Sequence, residues 1–506
     1  MLDLKPTILG QSFLFVLLSL FTCAVTFLLQ RHWTSITSEG SNDLEVAALI
    51  VLGCFLCGLW FFVLHREKRK SSPAPDLEPT VPIVSSATWS QDPFAFLVKH
   101  SGSGNYAFRK NGVMHLVVQS PDQIRGIFEH VGSELDRFPN NQKRFLRGER
   151  SLEFLFGEEH KTRKLAVVHA MDFNSFRRHM YTLSTLSAAY ARRLDGCDAG
   201  QCKSVLKKFG LAAVSVIILG KQLTAVELEE YLRLFHQHFT GLKATRKWNI
   251  PGTTYFQGTQ AKKELERRLR LRVRKCRRAN NDDDSESVLF RLAKSDLPED
   301  DIVDNLLMLW AAGFEPVRIT LAWILAFLGT HPEVKQLVQQ EVEALATRFC
   351  ADKWDSSSSD AIWEAVRSMK YTECVLYETL RMRPPATHVS FGINPRLSSY
   401  RVGEAVVPAG WRIICGWTGT FNDPRVFEAA ESFRPERFEH DPSPLGFTPF
   451  GGGIRRCPGR FFVKYEILLF LFVLFQHHRP HIQATTTPTM DKPNVSPRDL
   501  LITLGP

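Results

Sequence analysis

Residues 450–460 read Phe450-Gly451-Gly452-Gly453-Ile454-Arg455-Arg456-Cys457-Pro458-Gly459-Arg460. The cysteine lies in a glycine-rich loop between arginines, and the apolar run at 461–475 that follows predicts a long helix. At the start of a helix, backbone N–H groups and the helix dipole favour a thiolate. A cysteine held in this way is typical of a metal ligand.

The same loop suits a flat cofactor that carries carboxylates. Its glycines let the backbone pass close to a planar group, Phe450 can pack beneath that group, and Arg455 can neutralise a carboxylate. Heme meets these requirements, because it has a planar ring, carboxylate substituents and an iron that binds thiolate. The sequence therefore predicts a heme-thiolate site at Cys457.

The segment resembles the heme-binding signature of the cytochrome P450 family, FxxGxRxCxG, at every fixed position: Phe450, Gly453, Arg455, Cys457 and Gly459. The resemblance extends over the chain from Asp92 onward. It implies heme b as the cofactor and Cys457 as the axial ligand of its iron. It also implies that Phe450, Arg455 and Gly459 contact the heme.

Two further segments resemble structural motifs of the family. Glu378-Thr379-Leu380-Arg381 fits the ExxR motif, in which carboxylate and guanidinium lie one helical turn apart and can pair. Residues 433–438 resemble the segment that supplies a third member through Arg437. The resemblance implies that Glu378, Arg381 and Arg437 support the heme face and take no part in catalysis.

Cations for the heme carboxylates are expected on an earlier helix. His160 and Lys164 resemble a family pair in which His or Trp is followed four positions later by Arg. Lys164 departs from that pattern, since the arginine of this stretch is its neighbour Arg163. We predict that His160 and Lys164 join Arg455 in binding heme carboxylates. His388 is a further candidate for contact with a carboxylate or the substrate.

Ala312-Gly313-Phe314-Glu315-Pro316 resembles the motif AGx(D/E)T, which lies on the helix that crosses the oxygen side of the heme in this family. The family's threonine hydroxyl holds water and relays protons. Pro316 has neither a hydroxyl nor an N–H. In a monooxygenase, Glu315, an ordered water or a substrate hydroxyl therefore has to take over the role of the threonine. The resemblance implies that Glu315 assists proton delivery and that Ala312 and Gly313 leave room for oxygen.

The composition fits a large folded enzyme. The chain has 506 residues, of which 44% are hydrophobic and 23% charged, so it can bury a large core. A disordered or collagen-like protein is excluded. Ten scattered cysteines form no disulfide framework, which favours a reducing compartment.

The amino-terminal end predicts a membrane anchor at residues 1–70, with candidate transmembrane helices at 8–29 and 46–64. Basic residues directly after the second run place the rest of the chain on the cytosolic side. A proline-rich linker at 71–91 leads to a catalytic domain at 92–506.

Helical spacing dominates the body and predicts helices at 262–278, 302–328 and 363–381. Strand signals are few: Val113–Val118, and 400–414 with a hairpin turn at Pro408-Ala409-Gly410. We therefore predict a mainly α-helical fold with small β-sheets. By resemblance this is the cytochrome P450 fold, behind N-terminal transmembrane helices.

The net charge of +10 suits an anionic membrane, an acidic protein partner or nucleic acid. The basic stretch at 261–278 has leucines on one face and no aromatic stacking set, so we expect a solvated helix and no nucleic-acid partner.

The resemblance implies NADPH-cytochrome P450 reductase as the electron donor and cytochrome b5 as a second candidate partner. Four basic residues are expected to form the docking face: Arg437, Arg456, Arg460 and Lys464.

The resemblance implies a monooxygenase of the endoplasmic reticulum membrane that uses O2 and NADPH-derived electrons. Its expected substrate is a lipophilic terpenoid, sterol, polyketide or alkaloid, and the sequence is similar to members in fungal-type secondary metabolism. Leu309, Phe314, Val389 and Phe391 are candidate cavity residues. Because of Pro316, two alternatives stay open: an isomerase or dehydratase that needs no O2 activation, and a heme- and lipid-binding membrane protein without catalysis.

Overall fold

The computed structural model describes residues 81–89, 91–137, 148–278, 287–484, 488–491, 494–497 and 500–505. The predicted anchor at 1–70, with its runs at 8–29 and 46–64, lies outside these residues, as does the first part of the linker.

Helices make up most of the described body, so the mainly α-helical prediction is confirmed. Short 3₁₀ turns add to them at Arg192–Leu194, Ala351–Lys353, Pro435–Phe438 and Gly453–Arg455. In the described ranges the α-helices are α1 (Pro93–Lys99), α2 (Pro121–His130), α3 (Gly157–Ala170), α4 (Phe173–Arg178), α5 (Met180–Ala191), α6 (Ala199–Leu219), α7 (Ala225–Lys243), α8 (Thr254–Arg278), α9 (Val288–Ala293), α10 (Glu299–Thr330), α11 (Pro332–Arg348), α12 (Ser359–Arg367), α13 (Lys370–Met382), α14 (Trp417–Phe421) and α15 (Arg460–His477).

The long helix α10 is the central element of the body. Its first turn carries Glu299, Asp300 and Asp301, which the positive end of the helix dipole stabilises. Within the described part of the chain it is the one helix long and apolar enough to cross a membrane. Most of that apolar window is buried inside the body, which identifies α10 as a core helix.

The strands are short and form one larger sheet and three small ladders. The five-stranded sheet has the order β1-β2-β7-β4-β3, with β2 and β7 parallel and its other pairs antiparallel. The two-stranded ladders are β5-β6, β8-β11 and β9-β10. The bounds are β1 (Tyr106–Lys110), β2 (Val113–Val118), β3 (Leu135–Asp136), β4 (Val389–Ile393), β5 (Ser399–Val402), β6 (Ala405–Pro408), β7 (Arg412–Cys415), β8 (Arg479–Ala484), β9 (Pro488–Asp491), β10 (Asn494–Pro497) and β11 (Leu500–Gly505).

Two local predictions are wrong, while the strand Val113–Val118 is confirmed. The hairpin turn in 400–414 falls at Gly403, which has a φ of +58°, and not at Pro408-Ala409-Gly410. Residues 409–411 instead carry the chain to β7 in the larger sheet. The predicted helix 363–381 is two helices, because the chain leaves helical geometry at Met369.

The helices enclose a large apolar core, and a smaller core lies against the five-stranded sheet. Helix α15, predicted at 461–475, is buried from Tyr465 to Phe475 and contacts α5, α11 and α13. The segment before it, which contains Cys457, is thereby fixed against the core at its carboxyl end.

Helices α7 and α8 cross in backbone contact. A Cβ on Gly258 would lie 2.6 Å from the Cα of Gly241, and a Cβ on Gly241 would lie 2.7 Å from the Cα of Gly258. Real Cβ atoms do not approach backbone this closely, so the crossing requires glycine on both helices.

We expect Gly258→Ala to lower the free energy of unfolding by about 1–3 kcal/mol, because the added methyl group forces the two backbones apart. Urea unfolding followed by circular dichroism measures the change. Gly126→Ala is the matched control: Gly126 lies in α2 with nothing within 4 Å of an added Cβ. That control should gain up to about 1 kcal/mol from helix propensity. A Gly258→Ala protein as stable as the wild type would contradict the crossing.

Candidate active site

The Cys457 loop is held by its own backbone and by helix α2. The Cys457 N–H donates to the Phe450 carbonyl over 2.9 Å, which closes the loop just before α15 begins. Gly453 has a φ of +56°, and a Cβ there would lie 2.1 Å from the carbonyl oxygen of Phe128. Only glycine fits at this position, which gives the signature glycine a steric cause.

The environment of Cys457 acts on its thiol in two directions. Burial raises its pKa, while the Gly459 N–H and the charges of Lys164 and Arg460 lower it. In the protein alone burial is the largest of these effects, so the expectation that the loop by itself favours a thiolate is only partly met. A bound metal ion would keep the thiol deprotonated, and the Gly459 N–H is already placed to donate to its sulfur.

Arg455 lies beside the loop and is bound to protein atoms. Its Nε donates to Asp136 over 3.0 Å, and its Nη1 donates to the Leu152 carbonyl over 2.5 Å. Its Nη2 donates to both Asp136 and the Leu155 carbonyl. Arg455 therefore lies beside the cysteine loop, and most of its donors have partners within the chain.

His160 and Lys164 lie on the face of α3 that meets the cysteine loop. Lys164 Nζ donates to the carbonyls of Ile454 and Arg456. Burial is the main cause that lowers the pKa of Lys164 to about 8. His160 is 3% exposed, and its Nδ1 has no hydrogen-bond partner among the described residues. Burial, Arg455 and Lys164 lower the pKa of His160 to about 3, so the ring is neutral.

The described residues fit a heme. The half-buried thiol of Cys457 lies just before a core helix, and Lys164 and Arg455 both lie close enough to His160 to lower its pKa. A buried ring nitrogen without a partner is costly unless a ligand completes its hydrogen bonding. His160 Nδ1 therefore offers a bond to a heme carboxylate, and the partly buried ring of Phe450 packs against the large core.

Glu378, Arg381 and Arg437 come together as a buried cluster. Arg381 donates from Nε and Nη2 to the two oxygens of Glu378 over 2.7 and 2.8 Å, and both side chains are 0% exposed. Arg437 Nε reaches Glu378 over 3.1 Å. The Arg434 N–H donates to the same carboxylate. These contacts tie α13 to the segment that leads to the cysteine loop.

The middle of α10 opens on one side. Ala312 is exposed although most of this helix is buried, and Met308 and Pro316, one turn away on either side, are partly exposed. A Cβ on Gly313 would lie 2.5 Å from Val214 of α6, so Gly313 also serves helix packing. Open space therefore borders Ala312 more than Gly313.

Glu315 is anchored by two cations. Lys207 Nζ lies 3.2 Å and Arg318 Nε lies 3.0 Å from its carboxylate oxygens. Burial raises its pKa, but the charges of Arg318 and Lys207 outweigh burial and the pKa is lowered. Glu315 is therefore ionised at neutral pH, with a side chain that is still 19% exposed. Sequence reasoning missed Lys207, because it lies on another helix.

The predicted cavity residues are mostly core residues. Phe314 is fully buried against Phe235 and Phe239, and Phe391 packs edge-on against Phe128. Phe314 therefore faces α7, away from the open side of α10. Leu309 is also buried. Val389 is half-buried. Spacing on α10 could have indicated Met308 instead, since it lies four residues before Ala312.

His388 lies beside the ring of Trp89, with ring centroids 4.8 Å apart, and shares a hydrogen bond with Thr387. Burial, followed by the charges of Lys110 and Arg137, lowers its pKa to about 4. It is therefore uncharged at neutral pH and suited to a hydrogen bond more than to an ion pair.

The predicted basic docking face is smaller than expected. Arg437 belongs to the Glu378 cluster, and Lys464 pairs with Glu373 over 3.0 Å. Arg456 is exposed, and Arg460 stacks on the exposed ring of Phe461. These two arginines remain at the surface next to the cysteine loop.

Comparison with known proteins identifies the family of the chain. The family model for Cytochrome P450 matches residues 86–503. A taxane 13-alpha-hydroxylase of Taxus cuspidata is 26% identical over 459 residues, 86% of this chain and 92% of that protein. An abscisic acid 8'-hydroxylase of Solanum lycopersicum is 25% identical over 393 residues, 75% of this chain and 79% of that protein.

The fold is similar to that of the retinoic acid-bound cyanobacterial CYP120A1, with a TM-score of 0.69 at 19% identity. The alignment covers 84% of this chain and 100% of that one. Because the family model also matches most of the sequence, the chain belongs to the cytochrome P450 family and is a monooxygenase that carries heme and receives its electrons from a reductase.

Proposed function

We propose that this monooxygenase hydroxylates a lipophilic terpenoid in a biosynthetic pathway, with O2 and with electrons from NADPH through cytochrome P450 reductase. The observation that carries the proposal is the half-buried Cys457 in its closed loop just before α15, with the buried His160 on α3, whose Nδ1 has no hydrogen-bond partner among the described residues. The named substrates of the relatives, taxanes and abscisic acid, support the terpenoid class.

Each site residue has a distinct role in this proposal. Cys457 binds the heme iron and Gly459 donates to its sulfur. His160, Lys164 and Arg455 face the heme carboxylates, and Phe450 packs against the ring. When bound, the heme supplies the oxidising power for the reaction. Glu378, Arg381 and Arg437 hold the surrounding backbone in place.

Proton delivery falls to Glu315 and to the opened backbone of α10. As a carboxylate held between Lys207 and Arg318, Glu315 can pass protons through water. Pro316 has no N–H for the carbonyl of Ala312, four residues earlier. That carbonyl lies on the exposed side of the helix and can accept a hydrogen bond from water or from a substrate hydroxyl.

Pro316 supports a second activity of this heme enzyme beside the monooxygenase reaction. An isomerase or dehydratase acts on a substrate that needs no dioxygen, so it needs no threonine at position 316. Pro316 is the observation in its favour, and the demand for NADPH separates the two functions.

We also propose that the anchor at 1–70 holds the enzyme in the endoplasmic reticulum membrane with its body in the cytosol. The loop between α7 and α8 supports membrane contact, because Trp248 and Ile250 are exposed there beside Arg246 and Lys247. Aromatic and basic residues of this kind favour the membrane interface.

Arg456 and Arg460 are the proposed contacts for the reductase, and cytochrome b5 is a second candidate for that face.

The reduced, carbon monoxide difference spectrum of the microsomal protein tests the site. We expect a thiolate-type Soret band that Cys457→Ala abolishes and that the exposed-cysteine control Cys350→Ala retains. NADPH oxidation with taxanes and abscisic acid as first substrates should then depend on O2. A thiolate band with turnover but no NADPH demand would favour the isomerase, and a band that survives Cys457→Ala would refute the ligand.

Two variants separate the contributions of residue 316. Pro316→Ala returns an N–H to the Ala312 carbonyl without a hydroxyl, and Pro316→Thr returns both. If the free carbonyl holds the water or substrate hydroxyl, both variants should lower the ratio of product to NADPH consumed, by up to about 10-fold for one hydrogen bond. A rise in this ratio with Pro316→Thr alone would show that the enzyme merely lacks the hydroxyl.

Thiol labelling in sealed microsomes tests the membrane contact. In a Cys350→Ala background, which removes an exposed native cysteine, a cysteine introduced by Trp248→Cys should react with a membrane-impermeant maleimide only after detergent is added. The control Val226→Cys, at a residue 79% exposed, should react in both conditions if the body faces the cytosol. Equal labelling at both positions before detergent would contradict contact between this loop and the membrane.

A further inference from the structure

Asp136 and Arg455 form an ion pair that is almost closed to solvent. Both side chains are 7% exposed. Asp136 lies at the end of β3, next to β4, and its Oδ1 also accepts the Arg137 N–H over 2.7 Å. The pair therefore joins the edge of the five-stranded sheet to the segment that carries Cys457, across 319 positions of sequence.

Arg455 extends this connection to a third segment. Its guanidinium also donates to the carbonyls of Leu152 and Leu155. That turn is itself fixed to α10, because the Leu152 N–H donates to Asn305 over 2.9 Å. One side chain thus links the sheet edge, the turn at 152–155 and the cysteine loop.

The donors of Arg455 are nearly all used in these contacts. A guanidinium has five N–H groups, and the contacts occupy one on Nε, one on Nη1 and two on Nη2. One N–H on Nη1 is left for a heme carboxylate. Arg455 therefore holds backbone as well as offering that N–H, and Asp136 supplies the charge that keeps a buried guanidinium in place.

We propose that Asp136 is a positioning residue of the heme site, which fixes Arg455 and, through it, the loop that presents Cys457 to the iron. The proposal rests on Cys457 as the heme ligand. Asp136 acts through Arg455: it sets where the loop lies, and it places a negative charge against Arg455, which lies two positions before Cys457 in the sequence. Partners of this outer kind commonly tune how firmly a metal group is held.

The test is Asp136→Asn in the full-length, heme-loaded protein, with transfer of heme to apomyoglobin as the measurement. We expect heme loss about 10-fold faster than in the wild type, the lower end of the range for outer partners of a metal site. The midpoint potential of the iron should also become more positive, because a nearby negative charge has been removed. Asp136→Glu keeps the charge and should restore the potential.

Asp122→Asn is the matched control, since Asp122 forms an exposed pair with Arg125 over 2.8 Å, with side chains 67% and 63% exposed. It should match the wild type in heme loss and potential. If Asp136→Asn behaves like Asp122→Asn, the inference about Asp136 is wrong while the heme site stands. If the wild type itself gives no thiolate-type band, the heme site proposal fails first. Faster heme loss without a change in the midpoint potential of the iron would show that Asp136 has only a structural role, and would refute the positioning role.

Discussion

The buried carboxylate of Glu378 is the group on which the packing of the chain around the cysteine loop depends. It accepts hydrogen bonds from Arg381, Arg437 and the backbone of Arg434, in a place closed to solvent. Arg381 also donates to the Phe421 and Ser432 carbonyls. Losing Glu378 would leave the fully buried guanidinium of Arg381 without its carboxylate, at a cost of about 3–5 kcal/mol.

The cluster around Glu378 and the pair of Asp136 with Arg455 divide the task of holding the cysteine loop. The first fixes the chain that leads into the loop, at 421–437. The second fixes the loop itself to the sheet. Between them, Lys164 donates to two carbonyls of the loop from α3. The cysteine is thus placed by charge-assisted bonds to backbone as much as by apolar packing, which suits a loop rich in glycine that has few side chains to bury.

The parts of this site that the sequence predicted are those encoded by local spacing. Cys457 and its loop, the three-residue offset of Glu378 and Arg381, and the helical period of α10 all lie within a few turns of chain. Partners distant in sequence were missed: Asp136 and Lys207 carry no local signal of their role. The sequence also did not show which way Phe314 points, because an apolar side chain on a buried helix can pack in the core or line a cavity equally well.

The misplaced hairpin turn has a similar physical cause. Pro408 and Gly410 are turn residues by chemistry, and the chain does bend there, but the bend transfers it from one ladder to another sheet. The true hairpin turn uses Gly403, at a positive φ. Local turn chemistry predicts that a chain bends, whereas strand partners are chosen by packing across the whole body.

The crossing of α7 and α8 at Gly241 and Gly258 has a mechanical consequence. Beyond the two glycines the helices stay joined, because Arg268 and Arg272 of α8 pair with Glu230 and Glu227 of α7. Helix α8 continues from Gly258 to Arg278, roughly 30 Å at the rise of an α-helix. The backbone contact at one end and the ion pairs further along hold the two helices at separate places, so α7 and α8 form one stiff unit that resists rotation of either helix alone.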